Sequence, residues 1–280
     1  MIKGLTATNW KKRMVFMPTE DSYLISENRI FAVADGVTRD PIPNLPDLSN
    51  PFGQLKFALK YPKPSPAKIA SDIFCDTFVS ALKDFKPWNR NEKAIKSSFA
   101  YANKKIKEWN DQNIPTCDYI TRDFAGCVAV GTCQIGDLVY FGHITDSGVA
   151  IFDKEGNLSF RTKDESPHRL DKHIWQDPQI AGKTWSSPGV RARIRSQYRN
   201  NPDEQYSFGV LTGEESAMYY VRAGVKEIRP NETLILYTDG LEPIIFSDDF
   251  SAMLKNKDIN GLEKLCKKEV KTEGTLIYST

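Results

Sequence analysis

Arg29-Ile30-Phe31-Ala32-Val33-Ala34-Asp35-Gly36 and Thr233-Leu234-Ile235-Leu236-Tyr237-Thr238-Asp239-Gly240 lie far apart in the chain and share one pattern, an apolar run closing on an aspartate and a glycine. β-Branched and aromatic residues dominate both runs, so each reads as a buried strand. Each strand presents a carboxylate at its exit, and the glycine behind it frees the backbone to turn sharply or to bring its carbonyl close to a ligand. Taken singly, an Asp-Gly pair after a strand is a turn. Two further acidic segments change that reading: Glu20-Asp21-Ser22-Tyr23 before Leu24-Ile25, and His143-Ile144-Thr145-Asp146-Ser147-Gly148 between two strand-like runs. Turns alone do not require so many acidic strand edges. Carboxylates and backbone carbonyls are the hard oxygen donors that magnesium and manganese take, and gathered negative charge without a cation is unfavourable. The pattern points to a divalent-metal centre. Zinc or iron fits worse: the chain has 3 histidines, with His143 alone and His168 and His173 off the helical i, i+4 spacing. All three read as satisfied or surface side chains.

Composition bounds the rest. The chain has 280 residues, 40% of them hydrophobic, ample for a sizeable core. One domain over residues 1–280 is expected, because the acids come from both ends of the chain and must meet. The 5 cysteines are odd in number and include no Cys-x-x-Cys pair, which favours reduced, mostly buried thiols and a cytoplasmic location. No apolar stretch approaches the ~20 residues of a membrane helix, and the N-terminus lacks a signal-peptide core. A formal net charge of +2 argues for neither nucleic-acid nor membrane binding.

Periodicity predicts strands near 2–8, 13–17, 22–26 and 29–35, then a Pro-rich loop from Pro41 to Pro66. Two amphipathic helices follow, one on Ile69, Ile73, Phe74, Phe78 and Leu82, the other on Ile95, Phe99, Ala102, Ile106 and Trp109. Alternating runs near 124–134, 137–144, 147–153 and 158–162 read as hairpins turning at Gly136-Asp137 and Glu155-Gly156-Asn157. After an irregular region from Arg161 to Tyr206, strands are expected near 220–227 and 233–239, helices near 247–270, and a closing strand. This order suggests an α+β layered sandwich. Within the irregular region, Ala181 to Asn200 carries Lys183, Arg191, Arg193, Arg195 and Arg199 and no acid. Arg191, Arg195 and Arg199 would share one helical face, either a solvated helix or a basic lid that attracts a phosphorylated partner.

The order Glu20-Asp21-Ser22, Ala34-Asp35-Gly36, Asp146-Ser147-Gly148, Thr238-Asp239-Gly240 resembles the metal-dependent serine/threonine protein phosphatases of type 2C, over nearly the whole chain. Gly126-Cys127-Val128-Ala129-Val130 with Gly136-Asp137-Leu138-Val139-Tyr140, Phe208 to Gly213, and Thr275-Leu276-Ile277-Tyr278 also fit. The resemblance implies an α-β-β-α sandwich, two packed, mostly antiparallel sheets flanked by helices, with the metals at one end between the sheets. It further implies hydrolysis of phosphoserine and phosphothreonine in a phosphorylated protein partner, by water activated between two Mn2+ or Mg2+ ions. Asp35 would bridge the cations, the Gly36 carbonyl would add a ligand to one, and Asp239 would bind the other. Asp146 matches the aspartate where relatives hold a third metal. Glu20 and Asp21 resemble the acidic pair that orients metal-bound water and accepts its proton.

Three positions depart from the family pattern. Where relatives offer a metal-binding aspartate before the last strand, this chain has Thr272; Glu273, the next residue, reaches inward with its longer side chain or is an exposed turn acid. The phosphate-clamping arginine aligns with Phe16, leaving Arg13, or Lys11 and Lys12, to take over. Val37 stands where some relatives place a histidine general acid. Two alternatives follow: a degenerate, non-catalytic phosphoprotein-binding module of the same fold, or a phosphatase of small metabolites. The chain gives no indication of oligomeric state.

Overall fold

The computed structural model describes residues 1–14, 17–37, 51–119, 122–166, 175–183 and 188–280. Phe16, His168, His173 and residues 41–50 of the Pro-rich stretch lie outside them.

Strand β1 (Ile2–Thr8) is followed by a short helix α1 (Trp10–Met14), then β2 (Ser22–Ser26) and β3 (Ile30–Gly36). Helices α2 (Pro51–Lys60), α3 (Pro66–Asp84) and α4 (Glu92–Asn113) lead into β4 (Cys127–Ile135), β5 (Leu138–Ile144), β6 (Gly148–Phe152) and β7 (Leu158–Arg161). Helix α5 (Pro188–Gln197), β8 (Arg222–Glu227) and β9 (Thr233–Tyr237) follow. Helices α6 (Glu242–Ile245), α7 (Asp248–Lys255) and α8 (Ile259–Glu269) and strand β10 (Glu273–Ser279) complete the fold.

The strands form two five-stranded sheets, in the orders β1-β10-β9-β6-β7 and β2-β3-β4-β5-β8. Every pairing is antiparallel. The alternation of side chains along each strand divides the apolar residues into layers. Phe31, Val33, Val130, Val149, Leu234, Leu236 and Ile277 fill the space between the sheets. Ile30, Ala32 and Ala34, on the opposite face of β3, pack under α3 and α4, where Phe99 meets Phe74 at 4.9 Å and Phe78 at 5.4 Å. Ile235, Tyr237, Leu276 and Tyr278 pack under Phe250, Leu262 and Cys266 of α7 and α8. Helix, sheet, sheet and helix are therefore stacked in that order, as the α+β sandwich expectation requires.

Two local expectations are corrected. The strand expected near 13–17 is replaced, over its described part, by α1, because the Asn9 side chain accepts from the Lys12 amide at 2.7 Å and starts a helical turn. The Pro41–Pro66 stretch is not all loop: α2 occupies Pro51–Lys60, with proline at its first position, where the missing N–H costs nothing. Among the described residues no helix is long and apolar enough to cross a membrane.

Candidate metal centre

Alternation along the strands explains why distant acids meet. Phe31 and Val33 face the inter-sheet core, so Asp35, two residues further, emerges on the same face at the strand's end. Ile277 faces that core from the other sheet, and the same parity brings Thr275 and Glu273 inward at the start of β10. Ile25 packs against the same layer, and continuing β2 backwards in steps of two reaches Asp21. Since Ser22 pairs with Ala34, Asp21 and Asp35 leave their strands side by side. One carboxylate oxygen from each of Asp21, Asp35 and Glu273 lies within 4.8 Å of the others.

The remaining acids arrive on turns. Asp146 sits where the chain passes from β5 in one sheet to β6 in the other, after Thr145, whose φ of 67° is unusual for a β-branched residue. Asp239 opens the turn after β9 and is exposed at the rim. Gly36 and Gly240, the glycines of the two Asp-Gly pairs, have a packing reason to be glycine. A Cβ on Gly36 would lie 2.6 Å from the Ala67 carbonyl oxygen, and one on Gly240 would lie 1.7 Å from the Glu273 carbonyl oxygen.

Electrostatics bind these residues into one site. Burial, then the charges of Asp21, Asp239, Asp146 and Glu273, hold the Asp35 carboxyl well above its usual range. Burial, then Glu273, push Asp21 up to about 7. Burial, then Asp239, with Asp164 and Glu242 contributing, push Asp146 up to about 8. The buried Oδ1 of Asp146 has no hydrogen-bond partner. Carboxylates crowded this way, one with an orphaned buried oxygen, fit hard divalent cations by donor chemistry and by charge. A protein nucleophile is disfavoured nearby: burial, then Asp35, hold the Cys127 thiol well above its usual range, which suppresses the thiolate.

Several expected roles shift. The Glu20 carboxylate accepts from Tyr61 Oη and, at 3.0 Å, from Ser65 Oγ, while the Glu20 amide donates to Glu273 Oε1 at 2.9 Å. Its side chain thus ties the end of α2 and the N-cap of α3 to the centre. Glu273 is the inward acid of its pair, and Thr272 is exposed. A cation at the acids is Lys12, whose Nζ lies 2.6 Å from Glu273 Oε2. Arg13, expected to hold phosphate, is exposed on α1 and lines a separate hollow with Asn9, Trp10 and three lysines; the turn that Asn9 caps presents Lys12, not Arg13, to the acids. Lys12 was an alternative in the sequence, whereas Asp164, Glu242, Tyr61 and Ser65 carried no motif. Thr238, visible only as the first residue of Thr-Asp-Gly, donates through Oγ1 to Asp21 Oδ2 at 2.9 Å.

The expected basic lid is largely spent on internal ion pairs. Arg199, buried just beyond α5, holds Asp123 through two bonds, of 2.9 and 3.1 Å. Arg195 Nε lies 3.1 Å from the same carboxylate, and Arg193 pairs with Asp177 at 2.9 Å. Helix α5 ends at Gln197, so Arg199 lies just past the helix, where it converges with Arg195 on Asp123. A polar hollow of about 560 Å³ lies on the side of this region facing Thr145, with Lys163, Glu165, Tyr219 and Arg222 in its wall.

This two-sheet sandwich with acids at one end has the fold of the type 2C serine/threonine phosphatases. The manganese-bound catalytic domain of the serine/threonine phosphatase PstP superposes with a TM-score of 0.58 at 16% identity, covering 99% of this chain and 96% of that one. The S. agalactiae serine/threonine phosphatase gives 0.61 at 17% identity, with 99% and 98% covered. A bacterial serine phosphatase gives 0.62 at 14%, with 99% and 96% covered. No protein-family model and no curated protein sequence matches the chain.

Proposed function

We propose that this chain is a metal-dependent phosphomonoester hydrolase acting on phosphoserine and phosphothreonine in proteins. The observation that carries this reading is the meeting of Asp21, Asp35 and Glu273 within 4.8 Å of one another, with Asp146 and Asp239 acting on Asp35 from the turns. Asp21, Asp35 and Glu273 would hold one Mg2+ or Mn2+, and Asp35, Asp239 and Asp146 a second, with the Gly36 carbonyl as an additional donor. Bound divalent cations supply Lewis acidity, lowering the pKa of coordinated water from ~15.7 toward ~7 and neutralising phosphoryl oxygens.

The chain's own residues fix the geometry. Thr238 Oγ1 holds Asp21 by Oδ2. Glu20, gripped by Tyr61 and Ser65, positions its amide against Glu273. The Lys12 ammonium, at the edge of the acids, is placed to receive a phosphoryl oxygen in the role expected of Arg13. Hydrolysis of an aryl phosphate with manganese, magnesium or chelator tests the reading. Turnover that requires the cation, followed by preference for phosphoserine and phosphothreonine peptides over phosphorylated metabolites, is expected. No turnover at millimolar cation would overturn it.

One observation favours a second reading, a non-catalytic phosphoprotein-binding module: Lys12 already neutralises Glu273, an ammonium standing where a cation would. In that case millimolar manganese would leave the melting temperature unchanged, whereas a phosphopeptide would still bind.

A further inference from the structure

The positive charge that the α5 region spends on Asp123 and Asp177 is present elsewhere. Between α1 and the end of α8 lies a hollow of about 400 Å³ lined by Asn9, Trp10, Arg13, Lys267, Lys268 and Lys271, with Val270 also in its wall. No acid lines it. Lys267 and Lys268 make only surface pairs, with Glu263 at 3.8 Å and Glu269 at 2.8 Å, and such pairs neutralise little. Among the described residues no carboxylate pairs with Arg13 or Lys271. Trp10 is 60% exposed at the rim.

The hollow is built into the same framework as the acids. The Asn9 amide donates to the Thr272 carbonyl at 2.8 Å, and its side chain bonds the Lys271 carbonyl. The chain then enters β10 at Glu273, while Lys12, beside Arg13, reaches Glu273 from the other side. The basic wall and the acidic centre are thus consecutive along two strapped segments.

We propose that this hollow docks acidic residues flanking the phosphorylated residue of a polypeptide, so that phosphate and flank are held together. The inference rests on the phosphatase reading for calling that polypeptide a substrate. A polypeptide is favoured because an extended chain spans adjoining sites of opposite charge. A nucleic acid would need a run of stacking aromatics, and among the described residues Trp10 is the single aromatic in the wall.

The test uses two fluorescein-labelled peptides, a phosphothreonine followed by six aspartates and the same peptide with serines instead. Binding is read by anisotropy in millimolar magnesium, on the wild type and the Lys268→Glu/Lys271→Glu variant. Cation–carboxylate pairs at a partly screened surface predict ~10-fold tighter binding of the acidic peptide, lost on charge reversal. The serine peptide and aryl phosphate turnover should be unchanged, and an unchanged melting temperature controls for folding. Equal affinity for both peptides, or a preference surviving charge reversal, would overturn the docking role. So would capture of phosphatidylserine vesicles with the same lysine dependence and no peptide preference, which would mark a lipid-facing surface. Acidic-peptide binding without any phosphatase turnover would support the hollow while removing the enzyme reading, so the two failures are distinguishable.

Discussion

Thr238 Oγ1 donates to Asp21 Oδ2 at 2.9 Å and itself accepts the Thr275 amide at 2.8 Å. One hydroxyl therefore joins the exit of β9, the entry of β2 and the start of β10, fixing both sheets at the acidic end. Hydrogen bonds to a charged group contribute about 1.5–3 kcal/mol. Thr238→Val should cost roughly 2 kcal/mol in urea unfolding, and Thr238→Ser far less. A larger loss for Thr238→Ser than for Thr238→Val would show that the methyl group, not the hydroxyl, matters.

The crowded acids predict an unusual pH dependence. Asp21 and Asp146 titrate near 7 and 8 in the fold instead of 3.8, so the native state binds more protons than the unfolded one. Their contribution is present below about pH 4 and is lost as pH rises toward 8. Metal-free protein should therefore melt lower at pH 8 than at pH 6, and millimolar manganese should restore the loss. A melting temperature that rises from pH 6 to 8 without cation would contradict the arrangement.

Asp35→Asn separates the fold from the function. Removing the charge at the centre of the cluster should raise the melting temperature of the metal-free protein, because repulsion and burial both penalise that carboxylate. The same change should abolish manganese stabilisation and cation-dependent turnover. Activity within about tenfold of wild type would refute its proposed role at the centre, since losing a charged ligand of the proposed cations would remove the main stabilisation of the developing charge.

His143 predicts the opposite slope. Burial lowers its pKa to about 4, with Glu165 and Asp164 opposing the shift and Arg222 reinforcing it. Its neutral form stabilises the fold above the unfolded value of 6.5, and that stability is lost as pH falls through 6.5 toward 4. From those limits the contribution is roughly 3 kcal/mol at most. In unfolding titrations, the difference between wild type and His143→Gln should shrink over that window. A pH-independent difference would mean that the imidazole acts by packing alone.

Asp123 is the anchor of the α5 region. Asp123→Ala would strand the buried Arg199 without its bidentate partner, which should cost about 3–5 kcal/mol. Charge reversal at Arg195 should lower stability and reduce turnover of phosphopeptide and aryl phosphate alike. Loss confined to the phosphopeptide would restore the basic lid as a substrate contact.

What the sequence disclosed follows from how local each signal is. The β-branched and aromatic runs of Arg29–Gly36 and Thr233–Gly240, with the order of strands and helices around them, were sufficient for the layered sandwich, because strand-forming composition is local to each run. In the structure, side-chain parity along the strands brings Asp35 and Glu273 to the same acidic end, whereas the sequence alone left Glu273 open between an inward acid and an exposed turn acid. Helix α1 was misread because Val15 and Phe16 extend a strand-like run, whereas Asn9 capping starts a helix that is pinned by Lys271 and Thr272 from the far end of the chain. Helix α2 was hidden by averaging prolines over the whole stretch, although Pro51 and Pro62 merely bracket good helix formers. The arginines after Ala181 announced a helix, but nothing nearby revealed Asp123 as their partner. Glu20 had the right address and a different contact, since Tyr61 and Ser65 come from elements the motif does not include.

Strand β10 lies between β1 and β9, and it follows every other element along the chain. Until it inserts, β1 has no neighbour in its sheet, the acidic end lacks Glu273, and the Thr238 hydroxyl lacks its amide. A divalent ion held by these acids, as proposed, would therefore reward only the closed sandwich and give little to any partly assembled state. Loading should slow the opening of the completed fold far more than it hastens its formation, so that cation concentration governs the lifetime of the native protein and not the rate at which it is made.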